Sequence, residues 1–60
     1  MKEIIQLEKK ITGKILAIKN GTLTPKDSNI GKLLNRLKTL DEASYENLLN
    51  RYKKTLNDND

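Results

Sequence analysis

The sequence predicts an all-α fold, a small three-helix bundle, and three observations carry that prediction. Apolar residues recur at steps of three and four in three successive segments, which is the periodicity of a helix with one buried face. Residues that start and stop helices punctuate those segments at "KNG", "TLTPKD" and "LDE". A phrase is also written twice, "LLNRLKTL" at 33–40 and "LLNRYKKTL" at 48–56.

The first helix is predicted at 2–19. Ile4, Leu7, Ile11, Ile15 and Ile18 fall within about 80° of one another at about 100° per residue. Ile5 and Leu16 widen this stripe on one side, and Lys2, Glu3, Gln6, Lys9 and Lys10 occupy the opposite face. Gly13 belongs to the polar face, where it costs about 1 kcal/mol of helix propensity without removing a core contact. Gly21 stands where a left-handed residue closes a helix.

The second helix is predicted at 25–39. Thr24 can cap it, Pro25 suits its first position, and Asp27 puts a negative charge beside the exposed amides of the first turn. Ile30, Leu33, Leu34, Leu37 and Leu40 form its stripe. The third helix is predicted at 42–56, with Asp41 as cap, Glu42 favouring the N-terminal dipole, and Leu40 placed to staple onto Tyr45. Residues 57–60 read as a polar, frayed tail. The expected core is Ile4, Leu7, Ile11, Ile15, Ile18, Leu33, Leu34, Leu37, Leu48, Leu49 and Tyr52.

The repeat explains why a break is expected near Leu40–Asp41. The copies are 15 residues apart from Ile30/Tyr45 to Lys38/Lys53, and one inserted lysine then moves Thr39/Thr55 and Leu40/Leu56 to 16. Along one straight helix that shift would turn the apolar face by about 60°, so each copy aims inward only if the helix is interrupted. An unbroken helix over 25–56, giving a two-helix hairpin, is the alternative. Helical patterning accounts for the repeated leucines. The pairs Asn35-Arg36 and Asn50-Arg51 project roughly 100–160° from their stripes, so packing does not demand them, and they are candidate partner-binding residues.

Sixty residues make one domain, 1–60, and such a chain buries only about 60% of the surface it exposes when unfolded. There is no cysteine to staple it, so completion of the core as a homodimer is expected. Histidine, tryptophan and phenylalanine are absent too, which removes the usual general base, the usual zinc ligands and most base-stacking side chains. Glu3, Glu8, Asp27, Asp41, Glu42 and Glu46 read as helix-surface charges, and "KNGT" and "NIGK" lack the glycine spacing of a phosphate loop. The expectation is no catalytic residue, no cofactor and no metal. Apolar runs are too short for a membrane span, and Lys9 and Lys10 interrupt the segment a signal peptide would need, so a cytoplasmic protein is expected. Abundant lysine, asparagine and isoleucine suggest AT-rich coding, as in low-GC bacteria, their phages or plasmids.

These exclusions leave a non-catalytic protein-interaction module, a regulator or inhibitor that binds a larger protein partner, with Tyr45 and Tyr52 as candidate anchors. The alternative is a basic nucleic-acid-binding regulator gripping the phosphate backbone through Lys9, Lys10, Lys14, Lys32 and Arg36. The net charge of +4 favours this alternative. Charge placement opposes it: residues 1–19 and 20–40 each carry +3 and residues 41–60 carry −2, so a recognition helix at 42–56 would lead with Asp41, Glu42 and Glu46 toward a polyanion. An interfacial membrane role for the first helix is disfavoured, because two further amphipathic helices offer its apolar face a better home.

Overall fold

The computed structural model describes residues 2–58. Helices α1 (Lys2–Lys19), α2 (Pro25–Ser28), α3 (Ile30–Leu40) and α4 (Glu42–Asp58) follow in order, with no strand among the described residues. The three longer helices each pack on the other two, so the fold is all-α and bundle-like, its stripes closing around one interior. Glu3 at the start of α1 meets Arg36 in the second half of α3, which sets those helices antiparallel. Folding back after Asp41, α4 runs alongside α1 in the same direction.

The interior is Leu7, Ile11, Ile15 and Ile18 from α1, Ile30, Leu34 and Leu37 from α3, and Leu48 from α4. The expected core members Ile4, Leu33, Leu49 and Tyr52 are half-buried against it, as are Leu23 and Tyr45. Ile30, outside the expected core, is fully buried with Ile11 and Leu37. Ile5 and Leu16 do not widen the buried stripe, being 51% and 57% exposed. They point about 120° and 140° away from Ile11 around the helix axis, beyond what two neighbouring helices can cover. Leu40 is exposed as well, and the ring of Tyr45 lies 5.5 Å from the Lys38 ammonium.

The second predicted helix is not continuous over 25–39. One turn, α2, ends at Ser28, Asn29 takes a left-handed conformation (φ 56°, ψ 26°), and α3 starts afresh at Ile30. Ser28 is fully buried; its hydroxyl donates to the Pro25 carbonyl at 2.7 Å and accepts from the Ile30 N–H at 3.3 Å. Asparagine tolerates the left-handed region better than other residues with a Cβ. Its carbonyl then receives the N–H groups of Lys32 and Leu33 at 3.2 and 3.4 Å, so the backbone polar groups at the break are used to launch α3. Since α2 carries no large apolar side chain, hydrophobic spacing held no trace of this interruption.

The other helix ends follow the sequence signals. Thr24 Oγ1 accepts from the Asp27 N–H at 3.3 Å. Asp41 is extended (φ −156°, ψ 102°), and its Oδ1 accepts from the Ala43 and Ser44 N–H groups at 3.1 and 3.4 Å. At the end of α1, the Thr22 N–H bonds to the Ala17 carbonyl at 2.9 Å and the Gly21 N–H to the Ile18 carbonyl at 3.1 Å, with Gly21 at φ 81°; this is the Schellman closure. Asn57 and Asp58, expected in the tail, are helical, and residues 59 and 60 lie outside the described part. The longest dimension, 33 Å, excludes an unbroken helix over 25–56, which would span about 48 Å.

Gly13 and Gly21 both have room for a methyl group, with nothing within 4 Å of where its carbon would stand, yet their backbone requirements are opposite. Gly13→Ala is expected to raise stability by about 0.5–1 kcal/mol, whereas Gly21→Ala is expected to lower it by about 1–2 kcal/mol because φ is positive there. Thermal melts followed by circular dichroism check the two signs.

Candidate functional site

The two copies of the repeated phrase occupy antiparallel helices, and their arginines both flank α1. In α3 the second leucine of the pair, Leu34, is buried and Leu33 half-buried; in α4 the first, Leu48, is buried and Leu49 half-buried. The inserted lysine also turns Thr55 inward, whereas Thr39 stays exposed. Arg36 donates from Nη2 to both carboxylate oxygens of Glu3 at 3.1 Å. With the two side chains 60% and 47% exposed, solvent screening holds this pair to about 0–1 kcal/mol. Among the described residues, Arg51 has no such partner.

Arg51 instead lines a groove of about 370 Å³ between α1 and α4. From α1 the groove takes Thr12, Ile15, Leu16 and Lys19; from α4 it takes Arg51, Lys54, Thr55 and Asp58. The floor is aliphatic, Ile15 being buried and Leu16 exposed. Among the described residues, Lys19, Arg51 and Lys54 form no ion pair, since Arg36–Glu3 is the pair within 4 Å. A second depression, lined by Ile5, Glu8, Lys9 and Thr12, continues along the same edge of α1. Ile5 and Leu16 lie about 20° apart around the helix axis but about 16 Å apart along it, with Lys9 and Thr12 between them, so one exposed aliphatic side chain in the depression and one in the groove share a mixed edge of α1. The sequence reading missed it by assigning both residues to the buried stripe; their 11-residue spacing was the available signal.

The ten residues named from the sequence are distributed over several surfaces. Arg51 lines the groove and Lys9 its extension. Helical geometry puts Lys10 and Lys14 on the α3 side of α1, and Lys32 and Arg36 on the α1 side of α3, sharing a second edge of the bundle. Asn35 and Asn50 are exposed on different helices, so the repeated Asn-Arg pairs do not build one patch. Tyr45 and Tyr52 are half-buried against the core, which limits them to partial contact with anything outside.

Among the described residues no three His, Cys, Asp or Glu side chains stand together as a metal-binding group. No described helix is long and apolar enough to cross a membrane. Every buried side-chain nitrogen or oxygen among the described residues has a hydrogen-bond partner. The surface features of the described residues are the exposed Ile5 and Leu16 on one edge of α1, the cation-rimmed groove that Leu16 lines, and the lysine edge between α1 and α3. Set against known protein families, curated proteins and solved structures, the chain matches none.

Proposed function

We propose that this chain is a small non-catalytic helical interaction module, a regulator or inhibitor that acts by binding a larger protein along the outer edge of α1 and the α1–α4 groove. The observation that carries the reading is the α1–α4 groove, where the exposed Leu16 and the buried Ile15 lie inside a rim of Lys19, Arg51 and Lys54. Single exposed aliphatic residues are ordinary on any surface. Leu16, more than half exposed beside the buried Ile15 and ringed by Lys19, Arg51 and Lys54, gives the groove an apolar centre with a polar border, the make-up of an interface. Ile5 adds a second exposed aliphatic side chain on the same edge of α1. A partner helix laid in that groove is the simplest mode of binding.

The lysine edge supports the second reading, nucleic-acid binding. Lys10, Lys14, Lys32 and Arg36 are spread along it, but Glu3 already occupies Arg36, and the acidic start of α4 repels a polyanion from that end of the bundle. Affinity capture from a lysate of the source organism, with and without nuclease, separates the readings. The expected result is a retained protein, insensitive to nuclease and lost with Leu16→Glu, a surface change expected to alter stability by no more than about 0.5 kcal/mol. Retention of nucleic acid alone, falling steeply as salt rises, would decide for the alternative.

A further inference from the structure

We infer that the α1–α4 groove is a carboxylate-reading site: it accepts an acidic side chain carried on an amphipathic helix of a protein partner, with Arg51 as the reader and Ile15 and Leu16 as the apolar floor. This rests on the interaction-module reading and adds the partner's chemistry.

The comparison that assigns the ligand lies within the chain. Arg36 and Arg51 are matched positions of the repeated phrase, 15 residues apart, and each stands beside α1. At the first, α1 offers a helical carboxylate, and Arg36 Nη2 reaches both oxygens of Glu3 at 3.1 Å, while the next residue, Ile4, packs against the core. At the second, α1 offers Leu16 and Lys19 instead, and α4 adds Lys54. Asp58 is the lone acid in the lining and pairs with none of the three cations.

Three cations and one anion around an aliphatic floor are complementary to a helix that carries glutamate or aspartate three or four positions from a large apolar residue, the spacing that puts both on one face. The planar guanidinium fork suits a carboxylate. A nucleic-acid backbone would satisfy the cations but bring nothing apolar to cover Leu16, so the groove favours an acidic protein helix.

A fluorescein-labelled, helix-favouring peptide with leucines along one face and glutamates flanking them, and its Glu→Gln counterpart, test the assignment by anisotropy. The full chain is expected to bind the acidic peptide about tenfold or more tightly than the glutamine one. Arg51→Ala should lose the same factor on the acidic peptide and nothing further on the glutamine peptide while melting like wild type, and Arg36→Ala should bind like wild type. Equal affinity for the two peptides, no binding of the acidic one, or equal losses in both arginine variants would overturn the inference. So would a groove filled by a second copy, seen as a doubled sedimentation mass that Arg51→Ala abolishes, or binding confined to a duplex oligonucleotide. A lysate protein held equally by wild type and Arg51→Ala would refute the carboxylate-reading groove while leaving the interaction module standing.

Discussion

Leu37→Ala is expected to remove about half or more of the chain's stability at 25 °C. Leu37 has no solvent exposure and sits in the core cluster with residues of all three long helices. Truncating a buried leucine costs about 2.7–5 kcal/mol through lost transfer free energy and an unfilled cavity. At about 0.05–0.15 kcal/mol per residue, a 60-residue chain has roughly 3–9 kcal/mol in total. The loss is therefore a large fraction of the whole, and at the low end of that range it equals it. Urea titration followed by circular dichroism measures it, with Leu16→Ala as the control expected to stay within about 0.5 kcal/mol of wild type. A Leu37→Ala chain less than about 1 kcal/mol weaker would mean that the stripes do not converge.

Ser28→Ala carries the second large effect, and its sign is diagnostic. In a continuous helix, alanine in place of serine improves propensity and stabilises by a few tenths of a kcal/mol. At this break the Ser28 hydroxyl is the acceptor for the Ile30 N–H and the donor to the Pro25 carbonyl, in a residue with no exposure. Removing it strands a buried amide and is expected to cost about 1–3 kcal/mol. Asn29→Gly at the neighbouring left-handed residue should be neutral or stabilising, because glycine takes that conformation without steric cost. A stabilised Ser28→Ala chain would show that 25–40 is one helix after all.

The long helices and their caps were legible in the sequence because they are written redundantly. In α1, the five-residue stripe Ile4, Leu7, Ile11, Ile15 and Ile18, together with a glycine at its end, gave the same limits as the structure, Lys2–Lys19. Thr24, Pro25 and Asp41 are residue types whose capping geometry is local, so it survives any tertiary arrangement. The break at Asn29 was not legible, since it depends on a polar side chain, Ser28, being buried by tertiary contacts that periodicity does not describe. Ile5 and Leu16 were misassigned for a related reason: a helical wheel gives angles between residues, but not how many neighbours the helix will have. The groove around Arg51 needed both α1 and α4 in place before it existed. The repeated Asn-Arg pairs pointed to Arg51 without showing that its counterpart, Arg36, would be held by Glu3.

The hairpin of α3 and α4 beneath α1 creates both the core and the groove, so its closure is the point on which the rest depends. The chain has no native cysteine, and Lys32 and Lys53 are both exposed, so Lys32→Cys and Lys53→Cys can carry a pair of spin labels. Packed antiparallel helices lie about 8–10 Å apart, and a double electron–electron resonance distance below about 20 Å, label arms included, is the result expected. A distance beyond about 30 Å, the rise of 21 helical residues in one unbroken rod, would contradict it.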